Sequence, residues 1–258
     1  MGEYQDNFKR YEVKYLLSKD QYEKLLVRLA KIAAVDAYGE TKILNIYYDT
    51  PDFSLIRTSL EKPVYKEKLR LRSYGTAEDT TNSFVEIKKK YDGIVYKRRI
   101  NLPYKKAEAY LNNGIRVEES AANNSQIVGE IDAFKDFYPG LKPQMMISYD
   151  RIAMAGIYDP ELRITFDRNI CWRTNDLDLR HGGYGRPLLK EGQVLMEVKI
   201  LGAMSVELSR IFSELMIFPA SFSKYGRGYV DMMTMNRVGS MVAGAYAMHA
   251  GKGEVAYA

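Results

Sequence analysis

The stretch "KEKLRLRSYG" occupies residues 66–75. Read with the two-residue period of a strand, Lys68, Arg70 and Arg72 point to one side, while Glu67, Leu69 and Leu71 point to the other. On an open sheet face, three neighbouring cations are a solvated edge and repel one another weakly. Around an enclosed space the same three repel strongly unless an anion fills it. The neighbouring strands decide between these readings.

Several segments repeat the pattern. "NFKRYEVKYLL" (7–17) alternates Tyr11, Val13 and Tyr15 against Arg10, Glu12 and Lys14. "SFVEIKKKYDGIVYKRRINL" (83–102) reads as a hairpin turning at Asp92-Gly93. Glu86 and Lys88 oppose Val85 and Ile87 on its first strand, and Lys97 and Arg99 share a face on its second. "LRITFDRNICW" (162–172) sets Arg163, Thr165 and Asp167 against Leu162, Ile164 and Phe166. "VLMEVKI" (194–200) sets Glu197 and Lys199 against Met196, Val198 and Ile200. One such strand alone is a sheet with one face in water. The recurrence, and the dominance of Arg and Lys over Thr, Ser and Gln, argue that the polar faces converge. An antiparallel sheet of about eight strands can close on itself and turn such faces inward. The expected class is therefore α+β, an eight-stranded antiparallel tunnel with helices packed outside and the core between the two.

Further strands are expected at 41–50 and 144–154, and helices at 19–34 (opened by a Ser18/Gln21 capping box), 104–138, 204–217 and 224–239. Residues 173–192 contain four glycines and a proline and read as a long mobile loop, with "GGYG" (182–185) as a lid. Residues 1–239 read as a single domain, and 240–258, rich in Ala, Gly and Met, as a loosely ordered tail.

The 258 residues are 46% hydrophobic and 28% charged, with a net charge of +5 and a pI near 9.0, so a soluble protein with an anionic partner is expected. The single cysteine, Cys171, excludes an internal disulfide framework and fits a reducing compartment. With only His181 and His249 beside it, no zinc site of the usual kind can form. No signal segment opens the chain and no apolar run reaches about 18 residues. The expected protein is cytoplasmic, or a soluble piece of something larger, without a membrane span in this chain.

Phosphate devices of other kinds are missing: neither a P-loop nor a dinucleotide fingerprint is present. A cationic interior with embedded carboxylates nevertheless suits phosphoryl transfer, where cations and a Mn²⁺ or Mg²⁺ ion neutralise the transferring oxygens and side chains do little covalent work.

Taken together and in order, "RYEVKY", "NIYYDTPDF", "KLRLRSYG", "FVEIKKK", "VLMEVKI" and "SFSKYGRG" resemble the VTC domain, the polyphosphate polymerase branch of the triphosphate tunnel metalloenzymes, over roughly residues 8–230. The resemblance implies transfer of the γ-phosphate of ATP to a growing polyphosphate chain, with Mn²⁺ or a similar ion. It implies phosphate contacts from Arg10, Lys14, Lys68, Arg70, Arg72, Lys88, Lys97, Arg99, Arg151, Arg163, Lys199 and Lys224. It makes Arg70, Arg72, Lys88 and Glu197 the catalytic set, and Glu197 with Glu12 the metal ligands. Lys89 and Lys90 are left aside as a solvated run near a turn. The hydrolase branch begins E-x-E-x-K, whereas Arg10 stands at the first position here, which favours chain growth over activation of water.

Two other functions remain open. One is a triphosphate hydrolase on the same fold. The other is a non-catalytic binder of polyphosphate or nucleic acid, supported by the basic pI and the 21 tyrosines. Most of those tyrosines fall in packing phases, so nucleic acid is not the expected partner. A membrane-associated partner protein is left open.

Overall fold

The computed structural model describes residues 10–92, 94–115 and 122–250, with the side chains of residues 10, 122–124 and 238–250 outside the description. Nine strands form one antiparallel sheet: β1 (Arg10–Leu17), β2 (Ala33–Asp49), β3 (Tyr65–Tyr74), β4 (Asn82–Tyr91), β5 (Ile94–Pro103), β6 (Lys142–Gly156), β7 (Arg163–Arg173), β8 (Arg186–Pro187) and β9 (Val194–Leu201). Their order is β1-β9-β7-β6-β2-β3-β4-β5, and the short β8 pairs only with β7. The α+β tunnel-like sheet expected from strand alternation is the one observed. Among the described residues, no ladder joins β1 to β5, so the ring has one unpaired seam.

Among the described residues, six α-helices surround the sheet: α1 (Lys19–Leu29), α2 (Ser54–Leu60), α3 (Tyr104–Asn113), α4 (Ala122–Phe137), α5 (Val206–Glu214) and α6 (Lys224–Ala250). The capping box that opens α1 is present. Ser18 Oγ accepts from the Gln21 amide at 3.2 Å, and Gln21 Oε1 accepts from the Ser18 amide at 3.0 Å. The helix stops at Leu29 rather than near Ala34, because Ala33, Ala34 and Val35 pair with Gly156, Ala155 and Met154 of β6. Sheet pairing overrides the helix propensity of alanine there.

The apolar outer faces pack as expected. On one side, Leu69, Leu71, Val85, Ile87 and Ile100 lie under Tyr104, Ala107, Ile131 and Phe134 of α3 and α4. On another, Tyr15, Leu17, Ile164, Met196 and Val198 lie under Leu25, Leu29, Ile211 and Phe212 of α1 and α5. A third core departs from the expectation of an entirely external core. Tyr47, Met145, Ile147, Tyr149 and Leu195 belong to the same strand phases as the charged residues, Trp172 joins their face beyond a bulge in β7, and all pack against Tyr225 and Met232 of α6. One end of the interior is therefore apolar and plugged by a helix. The fit is close: a Cβ on Gly228 would lie 2.7 Å from Met145 Sδ and 3.3 Å from Ile147 Cδ1, so a larger residue there would have to displace the Met145 side chain.

Two other expectations are revised. The 173–192 segment is anchored rather than free. The Arg173 guanidinium is buried and donates to the carbonyls of Asp176 (2.9 Å), Gly182 (3.0 Å) and Tyr184 (2.7 Å). Backbone carbonyls that a mobile lid would give to water are thus held from within. Second, α6 does not end near residue 239 but continues to Ala250 through a stretch whose Ala and Met favour helix; residues 251–258 lie outside the described residues.

Candidate active site

Register places the charged rows side by side. Arg70 stands between Tyr47 of β2 and Glu86 of β4, and Glu86 stands opposite Arg99 of β5. The Glu86 side chain is 1% exposed and receives Arg70 Nε at 2.7 Å and Lys97 Nζ at 2.9 Å, with Arg72 and Arg99 each at 3.9 Å. Burial by itself would raise its pKa, but Arg70, Arg72 and Lys97 hold it at about 2. Arg70 also donates to the Tyr47 hydroxyl (3.3 Å). Arg72 donates to Asn45 Oδ1 (2.8 Å) and to the Tyr149 hydroxyl (3.3 Å). Asn45 is held in turn by its amide on the Ile147 carbonyl at 3.0 Å, so the guanidinium is fixed from beneath.

A second cluster lies on β1, β9, β7, β6 and the first turn of α6. Lys14 Nζ is 2.9 Å from Glu197 and 3.1 Å from Glu12. Lys224 Nζ reaches Glu197 at 2.9 Å and pairs with Asp167. Arg151 forks onto Asp167 through two bonds of 2.6 and 2.7 Å and comes within 3.6 Å of Glu197. Lys199 lies 3.9 Å from Glu12. Burial opposes ionisation of Glu197, yet Lys224, Lys14 and Arg151 keep its carboxyl well below the usual range. The Lys224 ammonium is raised despite its burial, by Asp167 and Glu197. Tyr149 links the two clusters: Lys224 and Arg151 sit 4.7 and 5.1 Å over its ring, and Arg72 is at its hydroxyl.

Lys68 completes the layer from β3. Burial pushes its ammonium down to about 8, and Lys66, Lys88 and Lys14 add to the shift against Tyr47. Lys88 is exposed; desolvation of its ammonium lowers its pKa, with Lys14 and Arg70 adding and Glu12 across the seam opposing. Lys97 and Arg99 are half-exposed at the interior's mouth. Arg163 is exposed farther out, opposite Lys199 in register. The Arg10 side chain lies outside the described residues.

The sequence-chosen residues Lys14, Arg70, Arg72, Lys97, Arg99, Arg151, Lys199, Lys224, Glu12 and Glu197 thus fall within two contiguous ion-pair networks. Residues not chosen also belong there: Glu86, Asp167, Asn45, Tyr47 and Tyr149. Strand alternation placed Glu86 and Asp167 on the charged faces without marking them as network centres. The two tyrosines looked like packing residues.

For a metal, no group of three or more His, Cys, Asp or Glu side chains among the described residues is placed to hold an ion by itself. Glu12 and Glu197 share one lysine. The buried Thr165 Oγ1, opposite Glu197 in register, has no hydrogen-bond partner. Two carboxylates and a free hydroxyl fit a hard divalent ion that draws its remaining ligands from phosphate and water.

A ring-like antiparallel sheet whose charged faces meet over one interior is the architecture of the triphosphate tunnel proteins. Two solved structures share the fold. One is assigned as an adenylate cyclase of Bacillus halodurans (TM-score 0.51, 18% identity, covering 82% of this chain and 92% of that one). The other, HpAC1 of Hippeastrum, is assigned as an adenylyl cyclase and described as having a dominant triphosphatase activity (TM-score 0.53, 15% identity, 86% and 96%). The chain belongs to the VTC domain family, whose model matches residues 9–233. It is 27% identical over 210 residues to vacuolar transporter chaperone complex subunit 4 of Schizosaccharomyces pombe, matching 72% of this chain and 29% of that protein's length. Among the described residues, no helix is long and apolar enough to cross a membrane.

Proposed function

We propose that this domain is a metal-dependent polyphosphate polymerase that transfers the γ-phosphate of ATP to a polyphosphate chain. The observation that carries the reading is the concentration of cations around a single buried carboxylate, Glu86, on one wall of a shared interior. Four positive groups against one negative leave a charge imbalance that a triphosphate would settle. Membership of the VTC domain family and the likeness to the vacuolar transporter chaperone subunit support the polymerase form.

In this reading Arg70, Arg72 and Lys88 hold the transferring phosphoryl group. Lys14, Lys68, Lys97, Arg99, Arg151, Lys199 and Lys224 hold the remaining phosphates, Arg163 meets the chain at the mouth, and Arg10 is a further phosphate contact on the family resemblance alone. Glu197 with Glu12 would hold Mn²⁺ or Mg²⁺, which supplies charge neutralisation at non-bridging oxygens. A terminal oxygen of the polyphosphate chain attacks the γ-phosphorus, the new P–O bond forms, and the bond to the β-phosphate oxygen breaks with departure of ADP. The attacking oxygen is already largely anionic at neutral pH, so no side-chain base is needed. The guanidiniums are fixed before substrate arrives, so little reorganisation is required as charge shifts. A cytoplasmic domain handing its product to a membrane-associated partner protein is the corresponding cellular picture, supported by the relative's place in a transporter chaperone complex.

The test is incubation with ATP and Mn²⁺. ADP and long-chain polyphosphate are expected, with synthesis falling on the order of 10²–10³-fold in Arg70→Ala, Arg72→Ala or Glu197→Ala. Undiminished polymer in those variants removes the reading. The carboxylates Glu12, Asp167 and Glu197 on the opposite wall favour a second reading, hydrolysis of tripolyphosphate. Release of orthophosphate without any chain lengthening would select it.

A further inference from the structure

The β3–β4 ladder carries cations beyond the layer assigned above. On the inner face Lys68 stands directly opposite Lys88, and the next row outward sets Lys66 opposite Lys90. Rows on one face recur every ~7 Å along a strand. Like charges directly opposed across a ladder destabilise it, and here two such pairs follow one another. The outer face of the same strands differs: there Glu67 stands opposite Lys89, a pairing of unlike charges. "KKK" (88–90) is therefore not one solvated run, because the pleat sends Lys88 and Lys90 inward and Lys89 outward.

The surroundings of the outer row favour a ligand over water. Lys66 is only partly exposed, and its Nζ donates to the Ser59 carbonyl at 3.1 Å, which holds the ammonium between β3 and the end of α2. Lys90 is also partly buried. Burial lowers the Lys66 ammonium, and Lys90, Lys62 and Lys88 lower it further; none of its resolved influences is a carboxylate. On the far side, Tyr225 of α6 lies beneath Lys68, 6.0 Å from its ammonium, and stacks on Tyr47 at 4.5 Å. The helical plug thus stops the interior on the β2, β6 and β7 side. The lysine-bearing wall of β3 and β4 runs on past it.

We propose that Lys66 and Lys90 form an outlying polyanion subsite, continuous with Lys68 and Lys88, that grips polyphosphate units beyond those at the reacting centre. This rests on the polymerase reading and adds a direction to it: the chain lies along the β3–β4 wall, past the first turn of α6. Three phosphates settle on the inner layer, and only a longer chain reaches the outer row.

The experiment compares tripolyphosphate with a long polyphosphate by titration calorimetry, using the whole chain and three variants. Lys66→Gln/Lys90→Gln is expected to weaken long-chain binding about tenfold, to leave tripolyphosphate affinity unchanged, and to shorten the polymer made from ATP. Lys89→Gln, on the outer face of the same strand, is expected to change neither affinity. Lys66→Arg/Lys90→Arg keeps the charges and is expected to keep long-chain affinity, which guards against loss by misfolding. Equal long-chain affinity in the double glutamine variant overturns the subsite while the inner-layer assignment stands. An equal loss for tripolyphosphate, or the same loss in Lys89→Gln, also overturns it. Failure of the unmodified protein to bind tripolyphosphate at all would instead overturn the polymerase reading.

Discussion

The two walls of the interior are built from the same residue types and balanced differently. Around Glu86, one carboxylate faces Arg70, Arg72, Lys97 and Arg99. Around Glu197, three carboxylates (Glu12, Asp167 and Glu197) face Lys14, Arg151, Lys199 and Lys224. The first wall carries an excess of positive charge. The second is nearly neutral by itself, and a metal entering it would meet a Glu197 whose Oε1 already holds Lys14 and Lys224. In the proposed reading, this difference in pairing makes the first wall the one that attracts phosphate and the second the one that exchanges ligands.

The largest test of this contrast is Glu86→Gln. Removing the central carboxylate of the cationic wall leaves the Arg70 and Arg72 guanidiniums without their ion-pair partner and is expected to cost about 3–5 kcal/mol in phosphate-free buffer. Tripolyphosphate should restore more of the melting temperature in this variant than in the parent protein. An unchanged Tm without ligand would show that the wall tolerates its own charge. Next in size, Glu197→Gln should raise the Mn²⁺ needed for half-maximal synthesis at least about tenfold. Arg99→Gln, on the other wall, should leave that requirement where it was. Equal displacement by both variants would erase the distinction between the walls.

A smaller effect is expected from pH. Lys68 carries its charge below about pH 8 in the free protein, and a bound anion would raise that value. Tripolyphosphate affinity should therefore be full below pH 8 and decline by roughly three- to tenfold toward pH 9.5, as the free ammonium loses its proton. Lys68→Arg should flatten the decline, and a slope surviving in that variant would assign it elsewhere. The smallest effect is predicted for Arg98, which points outward and meets Glu130 of α4 at 3.0 Å. Arg98→Gln should change stability by less than about 0.5 kcal/mol and leave synthesis intact, in contrast to Lys97 and Arg99 on either side of it.

Much of this was legible in the chain. The period of two placed Arg70 and Arg72 on one face and Glu197 with Lys199 on another, and the capping box marked the start of α1. Other features were not. A strand's alternation separates two faces without saying which part of the inner one α6 will cover, so Tyr47 and Tyr149 looked like ordinary packing residues. The lysine run at 88–90 needed the β3 register to divide it into inward and outward members. The end of α1 depended on a partner strand more than a hundred residues away.

α6 has a consequence that follows from its length. Its 27 residues rise about 40 Å at 1.5 Å per residue, and its first residue is Lys224, seated between Asp167 and Glu197. A single rod therefore has its tip in the carboxylate-rich wall and its other end at Ala250. Whatever lies next to Ala250 is thus joined to the Glu197 pair by continuous helix, with no loop between.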